Sequence, residues 1–78
     1  MDERERGRVE FEGRRWASHG RREAAIRDTF DESVTTYCQR LDELIMRDDA
    51  LREMPVEVGR LRRLREARQA ARRGRPTA

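Results

Sequence analysis

The sequence predicts an all-α protein, a small helix-turn-helix-like bundle with a basic C-terminal helix. Three observations lead there. Large apolar residues recur at helical spacing, most clearly Val34, Tyr37, Leu41, Leu44 and Ile45, in steps that line one face of a 3.6-residue helix. Residue types that start helices stand where such stretches begin: Asp2, Ser33, Asp48 and Pro55. No segment alternates apolar and polar residues over a useful length, so no strand is expected.

Asp2-x-x-Glu5 has capping-box spacing and predicts a first helix over residues 3–17. Val9 and Trp16 lie two turns apart on it, with Phe11 on an adjacent line. Gly7 and Gly13 weaken it by about 1 kcal/mol each relative to alanine. Ser18-His19-Gly20 reads as its stop, with Gly20 suited to a left-handed cap and His19 to a helix end. A second helix follows from Arg21 to Phe30, with Ile26 and Phe30 sharing a face. Ser33 then caps a third helix that carries the main apolar stripe and ends near Met46. Asp48 and Asp49 are expected to cap a short turn through Leu51 and Met54. Pro55 suits the first position of the last helix, whose apolar line is Val58, Leu61 and Leu64, followed only by alanines. Residues 1–73 read as one domain and 74–78 as a flexible tail. Trp16 reads as core and Cys38 as a small filler.

Of the 78 residues 45% are charged, yet the net charge is only +3. All 19 cations are arginine. They are concentrated late: residues 60–75 hold eight arginines and one acid, Glu66. Most of the remaining charge reads as solubility rather than an organised lattice. One His, one Cys and one Tyr, without a Gly-rich phosphate loop, metal-ligand spacing or a Ser-His-Asp set, argue against an enzyme. No cofactor, metal or small-molecule substrate is expected. No apolar run approaches the ~20 residues of a membrane span, and nothing resembles a secretory signal. A lone Cys38 fits a reducing cytoplasm.

The stretch Phe30-Asp31-Glu32-Ser33-Val34-Thr35-Thr36-Tyr37-Cys38-Gln39-Arg40-Leu41 resembles the recognition half of the promoter-reading region of sigma factors. Phe30, Ser33, Thr36, Arg40 and Leu41 match that pattern in spacing, Tyr37 takes the place of a valine, and Ile26 fills the apolar place one turn upstream. Asp31 replaces the turn glycine, Glu32 an apolar turn residue, and Arg27 a small residue at the helix contact.

Over nearly its whole length the chain also resembles a family of short actinobacterial and actinophage proteins defined as a domain of unknown function. The resemblance rests on Phe11-Glu12, Trp16, Glu23-Ala24-Ala25-Ile26-Arg27, Phe30, Ser33, Tyr37, Leu41, Leu44-Ile45, Ala50-Leu51, Pro55, Val58 and Arg60-Leu61-Arg62-Arg63-Leu64-Arg65. Ala17 and Asp42 depart from its tryptophan and asparagine. It implies an all-helical, helix-turn-helix-like protein and brings no established activity.

These features predict a transcriptional-regulator-like protein that binds double-stranded DNA. With the apolar stripe inward, Ser33, Thr35, Thr36, Gln39 and Arg40 are the base-reading candidates, because hydroxyl, amide and guanidinium groups match base edges in the major groove. Arg60, Arg62, Arg63, Arg65, Arg68 and Arg72, with Arg73 and Arg75 beyond them, are the phosphate candidates. Asp31, Glu32, Asp42 and Glu43 bracket the reading helix and oppose this, since carboxylates repel phosphates. So short a module reads few base pairs, and tight specific binding favours a homodimer. The alternative is a non-enzymatic adaptor docking on RNA polymerase or another regulator.

Overall fold

A computed structural model describes residues 1–14 and 16–74. The chain is all-helical, in the order α1 (Glu3–Glu12), α2 (His19–Phe30), α3 (Val34–Ile45), α4 (Asp48–Glu53) and α5 (Pro55–Arg73). Of the expected tail, only Gly74, the C-cap of α5, falls among the described residues.

The capping box at the start of α1 forms in both directions. The Glu5 amide donates to Asp2 Oδ1 (2.7 Å) and the Asp2 amide to Glu5 Oε1 (3.0 Å). The helix stops at Gly13, earlier than residue 17, where the Gly13 amide closes on the carbonyls of Val9 and Glu10. Leaving the helix there lets Trp16 fold back on Phe11, with ring centroids 4.8 Å apart.

Ser18-His19-Gly20 is a beginning rather than a stop. Ser18 is the N-cap of α2, and its Oγ accepts from the Arg21 amide (3.2 Å). His19 and Gly20 form the first turn, and among the described residues no glycine has positive φ. The left-handed residue is Asp31, at φ 53° and ψ 45°, closing α2 as its C-cap. An N-cap hydroxyl that satisfies a free amide outweighs a glycine that merely permits a stop. In α4, Asp48 and Asp49 occupy the first turn while Arg47 holds the N-cap position without a side-chain bond. They therefore act on the helix dipole rather than as caps.

Helix α3 is the hub and packs against α1, α2, α4 and α5. Its Tyr37, Leu41, Leu44 and Ile45 are buried with Val9, Phe11, Ile26, Phe30, Ala50, Val58 and Leu61. Phe11 meets Phe30 and Tyr37 edge-on, at 5.4 and 5.7 Å between centroids, a geometry aromatic rings favour. The α5 line does not continue to Leu64, which is 46% exposed. After Leu61 the helix has passed the edge of the core.

Candidate nucleic-acid interface

Helix α3 turns its aliphatic row inward, with Val34 half-buried against the core. Thr35, Gln39 and Arg40 are exposed, Thr36 is half-buried, and Asp42 and Glu43 are exposed further along. Ser33, exposed, is the N-cap: its Oγ accepts from the Thr36 amide (3.1 Å) while its hydroxyl donates to Thr36 Oγ1 (3.0 Å). The three-residue connection from α2 is made by Asp31 in the left-handed region, its amide donating to the Arg27 carbonyl (2.9 Å). Aspartate tolerates that conformation better than most residues with a Cβ, which is how this turn closes without glycine.

Glu32 does not lie in water beside the helix. Its side chain is 6% exposed and collects three guanidinium groups. Arg8 donates to both of its oxygens, Arg4 Nη2 lies at 3.1 Å and Arg40 Nη1 at 2.6 Å. The Arg8 hydrogen bonds, followed by those of Arg4, hold the Glu32 carboxyl down at about 2. Arg8 is buried as well, its guanidinium 4.9 Å from the Phe30 ring centroid and 5.5 Å from that of Tyr37. Three guanidinium groups thus neutralise one carboxylate at the start of α3, with Asp31 exposed beside it. The repulsion expected from Glu32 toward a phosphate is therefore screened, and Arg40, with its side chain 57% exposed, stays within reach of an outside molecule.

A second cluster braces the other side of α3. Glu12 accepts from Arg22 and from the Tyr37 hydroxyl (3.0 Å). Burial, and then the Glu12 carboxylate, push the Tyr37 hydroxyl well up from its ordinary value. The expectation that the charges serve mainly solubility thus fails at these two clusters. Their partners are far apart in sequence, 24 residues for Arg8 and Glu32.

The arginines of α5 divide by position. Arg62 is half-buried and donates to the carbonyls of Ile45 and Arg47, the latter at 3.3 Å. The Ile45 carbonyl is one of those a helix end leaves without an internal partner. Arg65 Nε lies 3.9 Å from Asp42 Oδ1, and its Nη1 lies 4.0 Å from Met46 Sδ. Successive turns of α5 thus both meet the C-terminal end of α3. The Arg60 guanidinium lies over the last turn of α1, 3.0 Å from where a Cβ at Gly13 would stand. Arg63, Arg68 and Arg72 are exposed and form no ion pair among the described residues. Arg75 lies outside the described residues.

A family model described as "Protein of unknown function (DUF3263)" matches residues 1–73. The chain belongs to that family. No curated protein and no solved structure matches it. Among the described residues, no helix is long and apolar enough to cross a membrane, and no group of three or more His, Cys, Asp or Glu side chains could hold a metal ion.

The structure brings Ser33, Thr35, Thr36, Gln39 and Arg40 together along one helix. It adds Arg4, Arg8 and Glu32, which no local pattern marks. Arg8 stands next to Val9 in a short helix whose buried side includes a charge, so apolar periodicity passes over it.

Proposed function

We propose that this chain is a small, non-enzymatic helix-turn-helix protein that binds double-stranded DNA in the cytoplasm, with α3 entering the major groove. One observation carries the reading: α3 buries its aliphatic row and leaves Thr35, Gln39 and Arg40 outward. Gln39 can pair with adenine and Arg40 with guanine. Ser33 and the start of α3, where Arg4, Arg8 and Arg40 surround Glu32, suit a backbone phosphate. The likeness of residues 30–41 to the promoter-reading region of sigma factors, and the resemblance to actinobacterial and actinophage proteins, favour transcription as the setting. Specific binding would use a homodimer on two half-sites about 34 Å apart.

Selection from a random duplex pool tests this. The expected result is an enriched sequence motif whose discrimination weakens in Arg40→Ala and Gln39→Ala. Recovery of no motif, with no salt-sensitive gel shift, ends the reading. The second reading, an adaptor docking on RNA polymerase or another regulator, is favoured by the far half of the same face. There Asp42 and Glu43 are exposed and Met46 is 52% exposed. Capture of a polymerase subunit, lost on Met46→Glu and indifferent to DNA, would select it.

A further inference from the structure

Val58, Leu61, Arg65, Arg68 and Arg72 follow one another in steps of three, four, three and four residues and so share one face of α5. The first two are buried, 0% and 6% exposed. Arg65 is the hand-over, its side chain 34% exposed and its guanidinium beside Asp42 and Met46 of α3. Arg68 and Arg72 are exposed. A single helix face therefore changes from aliphatic to cationic at the point where α5 leaves the body. The change happens next to the outward side of α3, where Arg65 meets Asp42 and Met46. Arg60 and Arg63 lie on the other side of α5, in line with Val56, which is 75% exposed.

Resting on the DNA-binding reading, we infer that Arg65, Arg68 and Arg72 form its phosphate-binding edge, and that Arg60, Arg62 and Arg63 are not part of it. Charge complementarity commits the row to the sugar-phosphate backbone of duplex DNA. From Arg65 to Arg72 a helix rises about 10 Å, about three axial phosphate spacings of one strand at 3.4 Å each. Three guanidinium groups on one face can thus reach phosphates within one short run of a strand while α3 occupies the adjacent groove. Arg62 is excluded because its guanidinium already serves the Ile45 and Arg47 carbonyls.

The test is fluorescence anisotropy of the full chain on a random-sequence duplex across a salt series. Each lost phosphate contact flattens the log K against log salt slope by about 0.9. Arg68→Ala with Arg72→Ala should therefore flatten it by about 1.8, with an unchanged circular dichroism spectrum. Arg60→Ala with Arg63→Ala should leave the parent's slope. Arg62→Ala should lower the melting temperature while leaving the slope of the folded fraction. Equal flattening by both double variants, or none by Arg68→Ala with Arg72→Ala, overturns the assignment of the row while leaving DNA binding standing. A parent with no salt-dependent duplex binding removes both. Salt-dependent binding to vesicles of anionic phospholipid that depends on Arg68 and Arg72, with duplex binding that does not, also overturns the row.

Discussion

The start of α3 and the projecting half of α5 are both rich in arginine, and the residue does opposite things in the two places. Around Glu32, Arg8 is buried between two aromatic rings and spends its donors on one carboxylate. Along α5, Arg68 and Arg72 meet water and, among the described residues, no acid. An arginine becomes architecture when a carboxylate and an apolar wall are both within its reach, and stays a long-range cation when neither is. Composition cannot separate the two cases, because the difference lies in what the fold places within about 4 Å.

The contrast can be broken most decisively at its centre. Glu32→Ala leaves Arg8 buried without its counter-charge, at a cost of about 3–5 kcal/mol. A domain this small has about that much stability in total, so the variant should be largely unfolded at 25 °C by far-ultraviolet circular dichroism. Urea midpoints matching the parent would show that the Arg8–Glu32 pair is dispensable.

Acid should reach the same site. The folded-state value of Glu32 is lowered from 4.5 to about 2. Its contribution is then complete above about 4.5 and is lost as pH falls through about 2. Melting temperatures measured from pH 7 down to 2 should begin to drop below about 4.5, and a Glu32→Gln background should flatten that window. A drop of the same depth in both proteins would assign the acid sensitivity elsewhere.

Smaller effects sharpen the picture. Tyr37→Phe removes the hydrogen bond to Glu12, which keeps Arg22. The expected loss is about 1 kcal/mol, or a melting point lower by about 4–8 °C. Asp31→Gly relieves a left-handed residue and should stabilise by up to about 1 kcal/mol. A lower melting point would mean that the Asp31 side chain itself holds the turn. Arg63→Ala should stay within about 0.5 kcal/mol of the parent, and any larger loss in a urea titration would show that Arg63, like Arg62, carries structure.

Much of this was legible along the chain. Asp2 with Glu5, Ser33 and Pro55 mark helix starts through interactions that close within four residues, and each start lies where those signals put it. The α3 stripe was legible for the same reason, since periodicity is a property of the local segment. The end of α1 was not, because Gly13 and Trp16 answer to the packing of Trp16 on Phe11. Ser18-His19-Gly20 carries both a start and a stop signal, and the N-cap bond decided between them. Leu64 continues an apolar line that the core no longer reaches.

By itself the sequence determined that the protein is helical, where most helices begin, and which side of α3 faces inward. Those are questions of local hydrogen bonding and of apolar spacing along a rigid 3.6-residue repeat. Only the tertiary structure decided which charges are spent and which are free: Glu32 with Arg8, Glu5 with Arg47, Arg62 on the end of α3. Coulomb attraction and guanidinium hydrogen bonds depend on distance in space. Partners separated by 24 or 42 residues acquire that distance only when the helices pack.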